Sequence, residues 1–317
     1  MKEYFLFYLK GLAMGAADVV PGVSGGTIAF ITGIYERLLL AIKSFDLEAI
    51  KLLLSFRFAE FVKHTDIKFL GSLLLGIATS VLTLSKLFKF LLEQHSVLTM
   101  AFFFGLILAT IFVVGKQIKN WQTSTILNFV IGMSLAISVA FLSPRGENAN
   151  MFYLFLCGSI AICSMILPGV SGSFVLLIMG NYFLVIGVIS GLGEAVKELD
   201  TALLFDYFLI LSPFALGAIV GLLSFSRLLS WLFERYKTGT LAVLTGFILG
   251  SLSIIYPWKQ AIEETRMIAG KSKTKIIDYT YYFPEIDSQF FIALGVMLLG
   301  VLLVWGIEHL GAKKEIA

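Results

Sequence analysis

Five residues, Pro21-Gly22-Val23-Ser24-Gly25, recur without change as Pro168-Gly169-Val170-Ser171-Gly172, 147 positions later. Both copies lie in apolar sequence. Proline lacks the amide donor a helix interior needs, and glycine loses the most conformational freedom on being ordered, so neither copy fits inside a continuous helix. A helix breaker used twice, at matching places in an apolar chain, predicts discontinuous helices arranged around a site.

The apolar setting extends over the whole chain. Of 317 residues, 58% are hydrophobic and 14% charged, against about 45–50% and about 25% in soluble domains. This composition predicts an all-α, multi-pass membrane protein. A net charge of +3, with the basic residues spread over several loops, argues against nucleic acid as a partner. Cys157 and Cys163 show no metal-ligand spacing and read as core- or lipid-facing thiols. No small-residue cleavage site precedes the first motif, so no signal peptide is expected. About 20 apolar residues cross a bilayer, and clear spans are predicted near 69–92, 98–115 and 125–142, then 207–233, 239–256 and 289–307. The motif units, 4–42 and 151–189, read as re-entrant hairpins or broken helices. Residues 43–68 interleave charges with Leu and Phe and read as an interfacial helix; 257–288 reads as a polar loop.

The repeat extends beyond the motif. Gly33 and Tyr35 match Gly180 and Tyr182 at the offset of 147. At an offset of 141, Gly76, Ser85, Glu93, Gly105 and Leu108 match Gly217, Ser226, Glu234, Gly246 and Leu249. We therefore divide the chain into a first repeat, 1–146, and a second, 147–317. Each holds a motif unit and three spans, and an odd number of crossings inverts the second relative to the first. On that topology one face collects 14 Lys and Arg and the other 9, which places the richer face, with both termini, in the cytoplasm.

Gly-rich turns at helix starts present backbone N–H groups to anions. The candidate anion-binding residues are Gly22, Ser24, Gly25, Gly26 and Thr27 in the first unit, and Gly169, Ser171, Gly172 and Ser173 in the second. Arg37 is a further candidate for attracting a phosphate. The competing reading of the small residues is close helix packing. Asp18 and Glu36 are candidates for carrying a coupling proton, since charge at membrane depth is costly; for Glu36 and Arg37 the competing reading is an interfacial position. Asp18 has Met165 as its counterpart, so its charge belongs to one repeat only. Gly22-Val23-Ser24-Gly25-Gly26 also fits the G-x-S-x-G nucleophile pattern. The three histidines, His64, His95 and His309, fall in loops or at span ends, however, and the second copy has Ser173 in place of the final glycine. A nucleotide-binding Gly-Lys-Ser/Thr is absent from the sequence.

The segments MGAADVVPGVSGGTIAFITGIYERLL and ILPGVSGSFVLLIMGNY resemble the bacterial polyprenyl-phosphate translocase family, and the resemblance covers essentially the whole chain. Its signature falls on Asp18, Pro21, Gly22, Ser24, Gly25, Gly26, Thr27, Gly33, Tyr35 and Glu36, and again on Pro168, Gly169, Ser171 and Gly172. The resemblance implies a transporter of undecaprenyl phosphate, moving it from the outer to the inner leaflet of the bacterial cytoplasmic membrane for reuse in cell-wall synthesis. It implies no enzyme activity and no cofactor. The expected partners are undecaprenyl phosphate or a related isoprenoid lipid phosphate and membrane lipids, with a homodimer allowed. A small-anion transporter coupled to an ion is the alternative. The two turns are expected to face each other, sharing one phosphate.

Overall fold

The computed structural model describes residues 2–20, 23–142, 146–268 and 271–315. The helices are α1 (Lys2–Val19), α2 (Gly25–Ile31), α3 (Tyr35–Lys43), α4 (Leu47–Leu54), α5 (Phe58–His64), α6 (Ile67–Gln94), α7 (Ser96–Gly115), α8 (Thr123–Ala140), α9 (Met151–Ile166), α10 (Gly172–Ile178), α11 (Tyr182–Lys197), α12 (Thr201–Ser251) and α13 (Ser288–Glu315). Two strands, β1 (Lys259–Ile268) and β2 (Lys271–Tyr281), complete the set. Among the described residues four helices are long and apolar enough to cross a membrane, or up to six spans if each bent pair counts as one.

Each motif unit has the same plan among the described residues: a helix, a short helix of seven residues after the motif's proline and glycine, then a bend. The bend between α2 and α3 is 117°, and so is the bend between α10 and α11. Gly33 (φ +70°) and Gly180 (φ +85°) form these bends. Left-handed backbone suits glycine alone at low cost, so the matched glycines of the sequence are matched corners of the fold.

Helices occupy all six predicted segments, though α8, at the predicted span 125–142, is among the shorter apolar helices, and there is one difference of connection. The spans predicted at 207–233 and 239–256 are joined through a single non-helical residue, Tyr236 (φ −134°, ψ 44°), inside α12. The first half has the same break: His95 (φ −136°, ψ 44°) separates α6 from α7. The Thr99 hydroxyl donates to the carbonyls of Leu91 and His95, and the Thr240 hydroxyl to those of Leu232 and Tyr236. A break orphans backbone carbonyls, and a threonine one turn on recovers them.

Helix pairing follows the small residues. Gly11 of α1 lies against the Leu73 carbonyl of α6 and Gly76 against that of Tyr8. Their counterparts Gly158 and Gly217 lie against Phe214 and Phe155. Gly105 of α7 touches Met297 of α13, and Gly246 of α12 touches Phe129 of α8. The last helix of each half thus packs on the penultimate span of the other half. In lipid, burial of apolar surface does not drive helices together, and close approach at small residues does. Outward faces remain apolar: Leu75, Leu82, Leu127, Leu216 and Phe291 are all exposed. The largest fully buried side chains, among them Phe69, Leu39, Ile107 and Leu244, wrap the first motif unit. Cys157 sits in a smaller cluster with Ala161, Leu176 and Val185, as a core thiol.

Two segments differ from the sequence reading. Residues 43–68 form two short helices rather than one, because Asp46 caps α4 through the Ala49 amide and Phe56, at φ 55°, turns the chain before α5. Within the predicted polar loop 257–288 the backbone forms an antiparallel hairpin, registered from Lys259↔Tyr281 to Ile268↔Lys271. The β-branched and aromatic residues of Thr274–Tyr281 favour a strand, and their signal was hidden among five Lys and Arg.

Candidate functional site

The two motif turns are hydrogen-bonded to each other. Ser24, nine-tenths and more buried, is the N-cap of α2, its hydroxyl oxygen accepting from the Gly26 amide at 3.1 Å. The same hydroxyl lies within donating distance of the Met165 (3.2 Å) and Leu167 (3.1 Å) carbonyls, just before the second turn. Thr27, fully buried, accepts from the Gly169 amide at 2.9 Å. Gly26 is pressed on the Ile166 carbonyl, where a Cβ would stand 2.6 Å from the oxygen. Gly169 (φ +89°) backs onto Phe247 and Ile248 of α12, where a Cβ would meet backbone at 2.9 Å. Each turn is therefore built into the other's wall. Pro21 and Gly22 lie outside the described residues.

Asp18, half-buried at the end of α1, accepts from the Gly25 amide at 2.6 Å, and its carboxylate covers Gly25. A carboxylate bonded to the first amide of a helix stands where an anionic ligand would stand. In the second unit the Met165 side chain covers Gly172 instead. The two short helices are thus closed by equivalent residues, one charged and one not. Ser171, at the start of α10, makes no capping bond; its hydroxyl pairs with that of Ser173 at 2.8 Å.

Lys10, which the sequence reading does not single out, has a defined place in the structure. Its ammonium donates to the Thr32 carbonyl at the C-terminal end of α2, at 2.6 Å. Lys10 and Asp18 both belong to α1 and bracket the two ends of α2, each charge opposing the nearer pole of its dipole. Their spacing of eight residues along α1 matches the length of the seven-residue α2. The counterpart of Lys10 is Cys157.

Glu36 and Arg37 are engaged apart from the turns. Arg37 bonds Asp66 through Nε (2.7 Å) and Nη2 (3.2 Å), and Glu3 through Nη1 (3.2 Å). Its guanidinium lies 4.6 Å from the ring centres of both Phe7 and Phe69, a cation–π sandwich joining α1, α3 and α6. Glu36 pairs with Lys237 at 2.7 Å, both side chains about half exposed. With Lys43–Glu234 and the Arg227–Phe45 carbonyl bond, this pair ties the first motif unit to α12 near Tyr236.

A nucleophilic serine needs a base in reach. Ser24 is bonded only to backbone among the described residues, and His64 is paired with Asp46. The arrangement is therefore that of a polytopic helical membrane protein with two interlocked broken-helix turns, rich in polar backbone and hydroxyl groups and closed at one helix start by a carboxylate. The family model described as undecaprenyl phosphate translocase-like matches residues 14–273. The chain belongs to that family. A protein named Polyprenyl-phosphate transporter from Vibrio cholerae serotype O1 is 40% identical over 317 residues, covering 98% of each chain. Another of that name from Staphylococcus aureus is 33% identical over 262 residues, covering 78% of this chain and 85% of its own. No solved structure matches the chain.

Proposed function

We propose that this protein is a transporter, not an enzyme, and that it carries undecaprenyl phosphate or a related isoprenoid lipid phosphate from the outer to the inner leaflet of the bacterial cytoplasmic membrane for reuse in cell-wall synthesis. Kinship with two relatives named for polyprenyl-phosphate transport supports the substrate class. The observation that supports the site is the interlocking of the two turns through Thr27–Gly169 and Ser24–Leu167; the amides of Gly25, Gly26 and Gly169 and the hydroxyls of Ser24, Thr27, Ser171 and Ser173 are the donors the two turns offer in this reading. In this reading the internal bonds hold the site closed, and the phosphate takes over donors that Asp18 now occupies. Protonation of Asp18 weakens its bond from the Gly25 amide and removes repulsion of the phosphate. Proton coupling then falls to Asp18, while Glu36 and Arg37 serve to position the first unit. The equivalent glycine contacts, bends and breaks in residues 1–146 and 147–317 support two repeats related by inversion, with the basic-rich face in the cytoplasm.

The test is leaflet-resolved uptake of labelled undecaprenyl phosphate into proteoliposomes, with Ser24→Ala and Ser171→Ala beside the parent. Parent activity that both substitutions reduce is expected. Uptake of a small inorganic anion with no lipid movement would overturn the reading.

A further inference from the structure

A cavity of about 990 Å³ opens beside the break in α12, at the upper end of the usual size range for small-molecule sites. Part of its lining is charged: Lys119, from the α7–α8 connection, with Glu234, Arg235 and Lys237. Another part is apolar and includes Phe225, Leu229, Val243, Phe247 and Leu167. Leu167 immediately precedes the second turn, and its carbonyl is one acceptor of the Ser24 hydroxyl. Phe247 backs Gly169. The cavity thus borders a basic rim and the wall of the paired turns.

Charge on that rim is only partly compensated. Glu234 is paired with Lys43 at 2.9 Å and Lys237 with Glu36 at 2.7 Å. Lys119 and Arg235 have no hydrogen-bond or ion-pair partner among the described residues. The break in α12 does not require Arg235. The matched break at His95 has the same dihedral angles and the same threonine bonds. There Gln94 stands where α12 has Arg235, and Ser96 where it has Lys237. Identical backbone with a neutral residue at the position of Arg235 marks that charge as serving something other than the break, while Lys237 is held by Glu36.

We infer that this cavity is a second binding station, for an isoprenoid monophosphate, in which Lys119 and Arg235 hold the phosphate and the apolar wall takes the first isoprene units. The inference rests on the proposed function and adds to it a place for the head group after it leaves the turns. Two cations lining one cavity offer a multiply charged phosphate charge-assisted bonds, which are stronger than neutral ones. The apolar wall discriminates against inorganic phosphate, which has nothing to bury there.

The experiment uses the full-length protein in nanodiscs and farnesyl phosphate carrying a photoreactive diazirine on its chain, with adducts mapped by mass spectrometry. Adducts are expected in peptides 119–128 and 225–247 as well as in those holding the turns. Unlabelled farnesyl phosphate should compete, and farnesol, inorganic phosphate and phosphatidylglycerol should compete at least about tenfold less well, since each lacks one part of the match. Lys119→Gln with Arg235→Gln should lower the α8 and α12 adducts about tenfold or more and leave the turn adducts in place; Lys119→Arg should keep them, which separates lost charge from lost folding. Unchanged α8 and α12 adducts in the double variant, adducts confined to the turns, or equal competition by phosphatidylglycerol would each overturn the second station while leaving the turn site standing. No adduct anywhere in the parent would overturn both.

Discussion

At the scale of single residues, Asp18 and Ser24 carry the most consequence. Asp18 accepts from Gly25 where its repeat counterpart, Met165, covers Gly172 with an uncharged side chain. If a phosphate competes with this carboxylate for the start of α2, its binding strengthens as pH falls and Asp18 takes up a proton. Asp18→Asn should flatten that dependence, measured by lipid-phosphate binding across a pH series; a variant as pH-sensitive as the parent would exclude Asp18 as the titrating group. Ser24→Ala should weaken transport without abolishing it, because backbone donors remain. A neutral hydrogen bond contributes about 0.5–1.5 kcal/mol and one to a charged group about 1.5–3, so a severalfold to hundredfold loss in proteoliposome uptake is expected. Complete loss with a reactive-serine probe labelling Ser24 would point to a nucleophile instead. The candidates Ser24, Thr27 and Gly169 were legible because a repeated Pro-Gly-Ser pattern has few structural uses in a membrane. Lys10 was missed because its role depends on where α2 lies, and sequence spacing alone does not say which neighbour a charge will cap. Arg37 looked free for a ligand because Asp66 and Glu3, its partners here, lie 29 and 34 residues away in the chain.

At the scale of elements, the glycines divide into those that touch and those that do not. Gly76 lies against the Tyr8 carbonyl across the α1–α6 contact, while Gly71, on the same helix, has nothing near it. Gly76→Ala should therefore destabilise the protein, since two backbones must part. Gly71→Ala should hold or raise stability, gaining up to about 1 kcal/mol of helix propensity. Thermal unfolding of the two detergent-solubilised variants, side by side, reads the difference; equal losses would mean that α1–α6 packing does not depend on this approach. The spans themselves were legible from uninterrupted apolar length. The joining of two of them through Tyr236 was not, because a one-residue break needs no Pro or Gly and leaves no compositional mark. The hairpin in 257–288 was hidden for a related reason: its strand formers alternate with lysines, and density of charge reads as loop.

At the scale of the whole molecule, contacts gather residues 43–45, 227–237 and 308 with 116–119 at one end, through Lys43–Glu234, Arg227–Phe45, Lys116–Glu308 and the cavity shared by Lys119 and Arg235. These are segments the charge distribution assigns to the cytoplasm. With the native cysteines replaced, a cysteine at position 57 should react only from the cytoplasmic side and one at 273 only from outside; reaction of both from one side would rule out inversion of the repeats. The short helices α4 and α5 add exposed Leu47, Leu54 and Phe56 at that end (85%, 74% and 78% exposed), a surface suited to lying in the lipid head-group layer.

The bracket of Lys10 and Asp18 around α2 has a further consequence for motion. Because both charges come from α1, α1 and α2 are held as one body, and separating them breaks two charge-assisted bonds at once. The corresponding positions on α9 are Cys157 and Met165, and the C-terminal end of α10 is held instead by a neutral bond, from the Tyr153 hydroxyl to the Met179 carbonyl at 2.8 Å, so the hold on α10 lacks the charged bonds that α2 has at both ends. Two halves built on one plan are then unequal in stiffness. In native-state hydrogen exchange the amides of α10 should open at lower free energy than those of α2, and neutralising Lys10 should bring the two closer together.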